Sequence, residues 1–168
     1  MAAHIPQEFI DAQAKLVSRM HEDWALVTAG TEEGGWNTMT IEWGTAGILW
    51  SLPTVTVFVH PRRYTHQYLL DNDYFTVQLF DGGYKHDLGI LGSKSGRDTD
   101  KVALTSLTPK PIEHGMTFAE ATTTLVCKKL YTHAIELDAM PADIRERLGA
   151  FYAEDAHTVF VGQLIDVL

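Results

Sequence analysis

The sequence of 168 residues predicts a single-domain α+β protein, residues 1–168, that is mostly β, with short helices around a largely antiparallel barrel. First, six or seven segments are rich in β-branched and aromatic residues, which is typical of strands. Second, these segments do not alternate regularly with long helical segments, which disfavours a doubly wound parallel sheet. Third, closing such a sheet into a barrel would remove exposed strand edges.

The first half of the chain is predicted to begin with a helix and to continue with strands. Apolar residues recur at helical spacing over residues 6–20, and Pro6 suits a first helical turn. Strands are predicted over residues 24–31, 36–43, 54–60 and 74–80, and the first two are joined by a turn that contains Gly34 and Gly35. Thr65 is predicted to cap a short helix over residues 66–70.

The second half combines two further helices with two long strands. A helix over residues 85–91 is predicted to end at Gly92, and a polar loop follows over residues 93–100. Residues 121–137 are predicted to form a long strand, bent or bulged near Lys128 and Lys129. A helix over residues 141–148, stopped by Gly149, precedes a final apolar strand over residues 158–168.

The charge distribution excludes some partners. Thirteen basic and 22 acidic residues give a formal charge of −9, which disfavours binding to nucleic acid or an anionic membrane. All of this excess lies outside residues 60–101, which contain six basic and six acidic residues. A near-neutral segment in an acidic protein could tolerate an anionic ligand, although chance and surface ion pairs would also produce it.

The sequence also predicts a cytoplasmic protein. No apolar run reaches the roughly 18 residues that a membrane span requires. The first ten residues carry His4, Pro6 and Glu8 where a signal peptide would have an apolar core. The single cysteine, Cys127, cannot form an internal disulfide, which fits a reducing compartment.

Three segments carry residue types suited to a cofactor. The first, NTMTIEWG at residues 37–44, combines hydroxyls and an amide with a thioether and an indole, the mixture that a flat heteroaromatic ligand needs. The second, around Arg62, Arg63 and Thr65, joins a strand to a predicted helix start, where free N–H groups favour phosphate. The third, SGRDTDK at residues 95–101, is a loop with typical phosphate partners. Each segment alone is also compatible with a purely structural role.

In this order, the segments NTMTIEWG, VHPRRYT and SGRDTDK resemble the flavin reductase-like family of FMN-binding split β-barrels. The likeness covers nearly the whole chain and includes WSLPTVTVFVHPRRYT and the terminal DAHTVFVGQLIDVL. It implies a homodimer with FMN at the subunit interface, and NADH or NADPH as a transient electron donor. Two positions depart from the pattern, because His60 stands where many relatives carry arginine and Gln163 where many carry glutamate.

The resemblance also implies roles for individual residues. Those that would line the isoalloxazine and ribityl chain are Asn37, Thr38, Met39 and Thr40, with Trp43 packed near the ring. Those that would lie at the phosphate or ribityl side are Arg62, Tyr64 and Thr65, and the phosphate grip would be completed by Ser95, Gly96, Arg97 and Lys101.

Other chemistries have weaker signals. No G-x-G-x-x-G follows a predicted strand, so a Rossmann nicotinamide site is not encoded. The eight histidines lack the close spacing of a zinc site, and we expect no metal. Cys127 is predicted to be a buried structural thiol. His157, at the start of the last strand, either reaches a flavin pocket or has a packing or interface role.

Three functions are compatible with the resemblance. In the leading one, NAD(P)H reduces the flavin, which performs the redox chemistry, so no side chain need act as a catalytic acid or base. In the second, the chain is a non-enzymatic FMN electron carrier resembling flavoredoxin, and its acidic surface suits a basic redox partner protein. In the third, it is a flavin-binding or dimerisation module without a redox role.

Overall fold

Nine strands and four α-helices make up the part of the chain that the computed structural model describes, residues 4–149, 151–152 and 155–168. The helices are α1 (Gln7–Asp23), α2 (Tyr64–Asp71), α3 (Lys85–Ser93) and α4 (Ala142–Leu148). The strands are β1 (Ala25–Thr31), β2 (Gly35–Ile41), β3 (Gly44–Leu49), β4 (Leu52–Val59), β5 (Tyr74–Leu79), β6 (Pro109–Ile112), β7 (Gly115–Phe118), β8 (Thr123–Ala134) and β9 (Thr158–Val167). In these ranges, no helix is long and apolar enough to cross a membrane.

Seven strands form one antiparallel sheet in the order β2-β1-β5-β8-β9-β4-β3, and β6 and β7 form a separate hairpin. The two edge strands, β2 and β3, are consecutive in the chain and are separated only by Glu42 and Trp43. In addition, β2 contacts β4 directly, so the sheet curls back on itself. The predicted class, a mostly antiparallel β fold with decorating helices, is confirmed.

The concave face of the sheet encloses the main core. Val27, Val57, Val77, Leu125 and Phe160 come from five different strands, and all five side chains are fully buried in one cluster. Burying an apolar side chain of this kind contributes about 1.5–3 kcal/mol. Helix α1 adds Ala12, Leu16 and Met20 to the same cluster. Its apolar residues recur at helical spacing because this face of the helix packs on the barrel.

A second apolar cluster covers the outer face of β1 and β5. Leu26 points away from the core that contains Val27, because successive strand residues face opposite sides. It packs with Phe80 and Phe118 and with Leu88 and Leu91 of α3. This layer holds α3 against β2, and so fixes the position of the loop that follows α3.

Most of the predicted elements are confirmed, with small shifts at their ends. The predicted long strand is β8. Its pairing with β9 is irregular at Val126/Cys127 and at Lys129/Tyr131, which agrees with the bulge predicted near Lys128 and Lys129. Helix α4 begins directly after Pro141 and ends at Gly149.

Two predictions about helix ends are wrong. Gly92 does not end α3, which runs on to Ser93 and has Lys94 at its C-cap. A Cβ at Gly92 would lie 3.2 Å from the Cβ of Thr40, so this glycine allows close approach of α3 to β2. Thr65 does not cap α2, because Arg63 occupies the N-cap position and Thr65 lies inside the first turn.

The prediction of six or seven strands missed β3 and the β6–β7 hairpin. Strand β3 contains Thr45, Ala46 and Gly47, which offer little apolar surface, and its identity comes from pairing with β4. The β6–β7 hairpin is only four residues on each side. Both are defined by tertiary contacts, which a local residue pattern does not reveal.

Candidate functional site

A cleft at one side of the barrel brings together the three segments that the sequence analysis singled out. Strand β2 contributes Met39, the start of α2 contributes four residues, and the loop after α3 supplies the remaining wall. The residues that line this first cleft are Met39, Arg62, Arg63, Tyr64, Thr65, Ser93, Lys94, Ser95, Gly96 and Lys101. Seven of the predicted site residues therefore meet here: Met39, Arg62, Tyr64, Thr65, Ser95, Gly96 and Lys101.

Two cations line this cleft, the buried Lys101 and the half-buried Arg63. The side chain of Lys101 is only 4% exposed, and its Nζ donates to the carbonyl oxygens of Leu91, at 2.8 Å, and Lys94, at 3.3 Å. The guanidinium of Arg63 donates to the carbonyl of Gly92. Both side chains thus satisfy carbonyls at the C-terminal end of α3, where a positive charge is favourable.

The electrostatics of this pair favour an anion. Burial, together with the charge of Arg63, lowers the pKa of Lys101 to about 8. Burial also lowers the pKa of Arg63. In the part of the chain that the structure describes, none of the ion pairs involves Arg63 or Lys101. An anion in the cleft would offset the cost of holding two like charges away from water.

The first turn of α2 adds hydrogen-bond donors to the same cleft. The backbone amides at a helix start have no acceptor within the helix, and both Tyr64 and Thr65 line the cleft. Gly96 lies opposite them, and a Cβ there would be 2.5 Å from Oδ1 of Asn37 and 3.2 Å from Cδ1 of Tyr64. Only glycine allows the loop to approach so closely.

Arg97, the remaining residue predicted for the phosphate grip, lies beside Tyr64. Its guanidinium lies 4.7 Å over the ring of Tyr64, and Nη1 donates to the carbonyl of Arg62 at 3.1 Å. It is exposed and lies outside the residues that line the first cleft. Arg97 is therefore placed to fix Tyr64 and the loop before α2.

The polar residues of β2 divide between two faces. Asn37 Nδ2 donates to Oγ1 of Thr65 at 2.8 Å and so ties β2 to α2. Thr38 is fully buried, and its hydroxyl is hydrogen-bonded to Oγ1 of Thr28 and to the carbonyl of Val27. Thr40 donates to the carbonyl of Leu88 in α3. Because its side chain is buried, Thr38 can offer only main-chain atoms to a ligand.

A second cleft continues from the first through Met39, which lines both. Its other lining residues are Thr40, Ile41, Glu42, Trp43, Phe58 and His157. Trp43 is 43% exposed, and its ring lies 5.0 Å from that of His157. A broad indole beside an adaptable thioether suits a flat, aromatic ligand.

His157 both packs and lines this second cleft. Its ring contacts the rings of Trp43, His60 and Tyr152 at centroid distances of 5.0, 5.2 and 5.6 Å. Burial, together with the charge of His60, lowers the pKa of His157 to about 4, so the ring is neutral at pH 7. Its Nδ1 is buried and has no hydrogen-bond partner among the described residues.

Cys127 is not among the residues that line either cleft. Cys127 is fully buried in the barrel core, and burial raises the pKa of its thiol, which confirms a structural role. Among the residues that the structure describes, no group of three or more His, Cys, Asp or Glu side chains is arranged to hold a metal ion.

Arg63 is the residue that the sequence analysis left unassigned. The reasoning from residues allowed either arginine of the pair, and the resemblance assigned Arg62. Arg62 also lines the cleft but is exposed, whereas Arg63 is half-buried beside Lys101. The available signal was its position directly before α2, at the N-cap.

Solved structures with the same fold include an FMN-binding protein, a flavoredoxin and a flavin reductase. The FMN-binding protein of Thermus thermophilus is 23% identical, with a TM-score of 0.67 over 86% of this chain and 70% of its own. Flavoredoxin of Desulfovibrio vulgaris (Miyazaki F) is 26% identical, with a TM-score of 0.64 over 86% of this chain and 68% of its own. The styrene monooxygenase flavin reductase of Pseudomonas putida S12 is 22% identical, with a TM-score of 0.61 over 87% of this chain and 78% of its own.

Among curated protein sequences, none matches the chain significantly. The model of one family does match, over residues 17–168, which include both clefts and every strand. Together with the shared fold, this match shows that the chain belongs to the flavin reductase-like domain family.

Proposed function

We propose that the chain binds FMN across the two connected clefts and acts as an NAD(P)H-dependent flavin reductase. The observation that carries this proposal is the pairing of Arg63 and Lys101, two cations of low exposure with no carboxylate partner in the described structure, beside the first turn of α2. This arrangement fits a phosphate, and the adjoining aromatic cleft fits a flat ring.

The residues have distinct roles in this proposal. Lys101, Arg63 and the amides of α2 hold the phosphate, and Gly96 leaves room for it. Met39 and Trp43 contact the ring, which lies along the second cleft. FMN, when bound, supplies the redox chemistry by accepting a hydride and passing electrons on. The chain's own side chains bind and orient, and no acid or base is assigned.

A homodimer with FMN at its interface is part of the proposal. The β3–β4 hairpin exposes three consecutive large apolar side chains, Ile48, Leu49 and Trp50, which are 54%, 37% and 65% exposed. Trp43 at the mouth of the second cleft is also exposed. Clusters of this kind are typical of surfaces that another protein covers, and a second copy would complete the open side of the cleft.

An electron carrier is the second candidate, and the charge distribution favours it. The excess of acidic residues lies outside residues 60–101, which supply most of the phosphate cleft, and a net acidic protein suits a basic redox partner. In either role we place the protein in the cytoplasm, where the single buried cysteine is compatible with reducing conditions. A flavin-binding module without a redox role is the third possibility.

Absorbance spectroscopy separates these functions. We expect the purified protein, loaded with FMN, to lose its visible flavin band within seconds when NADH or NADPH is added without oxygen. A band that persists with both nucleotides, but bleaches with a reduced redox protein, would favour the carrier. A protein that binds no FMN at all would contradict all three candidates.

A further inference from the structure

The second cleft has one acidic side chain in the place where the flavin ring is proposed to lie. Of the described residues that line it, only Glu42 carries a carboxylate, and none is a lysine or an arginine. His157 does not offset this charge, because burial and the nearby His60 lower its pKa to about 4 and leave its ring neutral at pH 7. The ring end of the site is therefore negative, whereas Arg63 and Lys101 make the phosphate end positive.

The fold holds Glu42 in this place from two sides. Glu42 and Trp43 alone connect β2 to β3, the two edge strands of the curled sheet. From α1, Nδ1 of His21 lies 3.0 Å from Oε1 of Glu42. The side chain of His21 is 86% exposed and that of Glu42 44%, so solvent screens the imidazole more strongly than the carboxylate. The imidazole therefore anchors the carboxylate but offsets its charge only in part.

Reduction of a flavin changes the charge that the second cleft must accommodate. The oxidised isoalloxazine ring is neutral. A hydride brings two electrons and one proton, so the reduced ring is negative unless it takes up a second proton. Because like charges repel, Glu42 disfavours the reduced, anionic ring and leaves the neutral, oxidised ring nearly unaffected. The phosphate carries the same charge in both states, so Arg63 and Lys101 do not distinguish them.

We propose that Glu42 lowers the reduction potential of the bound flavin by penalising the reduced ring. The proposal rests on the proposed function, because it takes the ring to lie in the second cleft. A lower potential makes the reduced flavin a stronger electron donor to the acceptor that follows, whether that acceptor is a small molecule or a redox protein. Glu42 acts through its charge, and no proton transfer is assigned to it.

Spectroelectrochemical titration of the FMN-loaded protein measures this potential directly. Glu42→Gln removes the charge and keeps the size of the side chain, so binding of reduced FMN should tighten about fivefold relative to oxidised FMN. For a two-electron couple, this ratio raises the midpoint potential by about 20 mV. Glu42→Lys should raise the potential further, and Glu42→Asp should keep it near the wild-type value. The affinity for oxidised FMN, measured by calorimetry, should change less than twofold in Glu42→Gln.

Glu33→Gln is the matched control. It removes the same charge from an exposed position in the turn between β1 and β2, and Glu33 lines neither cleft. The potential of this variant should equal that of the wild type. The difference in potential between Glu42→Gln and the wild type should also shrink as the ionic strength rises, because salt screens a charge but not a change of packing.

Two kinds of result would overturn the proposal while leaving FMN binding intact. The first is an unchanged potential in Glu42→Gln, or the same shift in Glu33→Gln. The second is a shift in Glu42→Gln that is insensitive to salt and that Glu42→Asp reproduces, because packing rather than charge would then be its cause. A wild-type protein that binds no FMN would instead contradict the proposed function itself, and this proposal with it.

Discussion

At the scale of single residues, Lys101 has the most specific role. Replacing it with methionine keeps most of the buried volume but removes the cation. Hydrogen bonds to charged groups contribute about 1.5–3 kcal/mol, so Lys101→Met should weaken FMN binding roughly 10- to 100-fold. Titration calorimetry measures this directly. Lys110→Met, on the exposed strand β6, is the control, and an equal loss there would refute the assignment.

The pH dependence of FMN binding follows from the same residue. In the ligand-free protein the pKa of Lys101 is lowered to about 8, so its ammonium form is lost as the pH rises through that value. The affinity for FMN should therefore fall above pH 8. The opposite sign applies to stability without ligand: above pH 8 the unfolded chain holds this proton more strongly, so stability should rise. Lys101→Met should flatten the affinity profile, and an unchanged profile would contradict this role.

A substitution at Gly96 tests whether the loop after α3 must approach β2 closely. In Gly96→Ala, the new Cβ would lie 2.5 Å from Oδ1 of Asn37. The Asn37 side chain must then move, and its Nδ2 loses the 2.8 Å hydrogen bond to Oγ1 of Thr65. We expect a several-fold loss of FMN affinity and about 1 kcal/mol of destabilisation, measured by calorimetry and urea unfolding. Gly89→Ala is the matched control, because a Cβ there meets nothing within 4 Å and lies in α3. It should stabilise the protein by about 0.5–1 kcal/mol, and equal behaviour of the two variants would contradict the argument.

His157 should make the protein sensitive to acid. Its pKa is lowered to about 4, against roughly 6.5 in an unfolded chain, so between these values the unfolded state binds more protons. Stability should therefore fall as the pH is lowered from 6.5 to 4. His157→Leu should reduce this slope, with His66, whose pKa burial also lowers, supplying part of the remainder. Thermal unfolding at several pH values measures it. The exposed His86→Leu is the control, and an unchanged slope in His157→Leu would contradict the burial of this ring.

At the scale of elements, the β3–β4 hairpin is the proposed contact surface of the homodimer. Trp50 and Ser51 at its turn both have positive φ, 51° and 61°, which suits a tight two-residue hairpin. Ile48→Glu places a charge on its exposed apolar surface, so sedimentation should show a shift from dimer to monomer with an unchanged circular dichroism spectrum. Val17→Glu, on an exposed apolar position of α1, is the control. A monomeric wild type, or a dimeric Ile48→Glu, would contradict the assignment of this hairpin.

The elements also show what a sequence pattern can and cannot predict. Strands β4 and β5 were recognised because dense β-branched and aromatic residues mark them whatever their neighbours are. Strand β3 was missed because three of its six residues, Gly44, Ala46 and Gly47, are small and carry no such mark. Glycine has two uses, ending a helix or admitting a neighbour, and only the contact with Thr40 shows that Gly92 has the second. The choice between Arg62 and Arg63 likewise depends on which of them turns toward Lys101.

At the scale of the whole molecule, barrel closure explains why distant segments form one site. The order of the sheet places β2 at one edge, and curling brings it against β4, after which the chain enters α2. Helix α3 then returns to β2, so its following loop meets the start of α2. The sequence predicted this class and the three segments. It could not predict the faces of β2, where Thr38 is buried and Met39 lines both clefts.

The most direct test of the account compares FMN with riboflavin, which has the same ring and ribityl chain but no phosphate. The cleft formed by Arg63, Lys101 and α2 predicts that the wild-type protein binds FMN at least about tenfold more tightly than riboflavin in titration calorimetry. Lys101→Met should lose most of this preference. Equal affinity for the two flavins in the wild-type protein would contradict the central claim that this cleft holds the phosphate of a flavin.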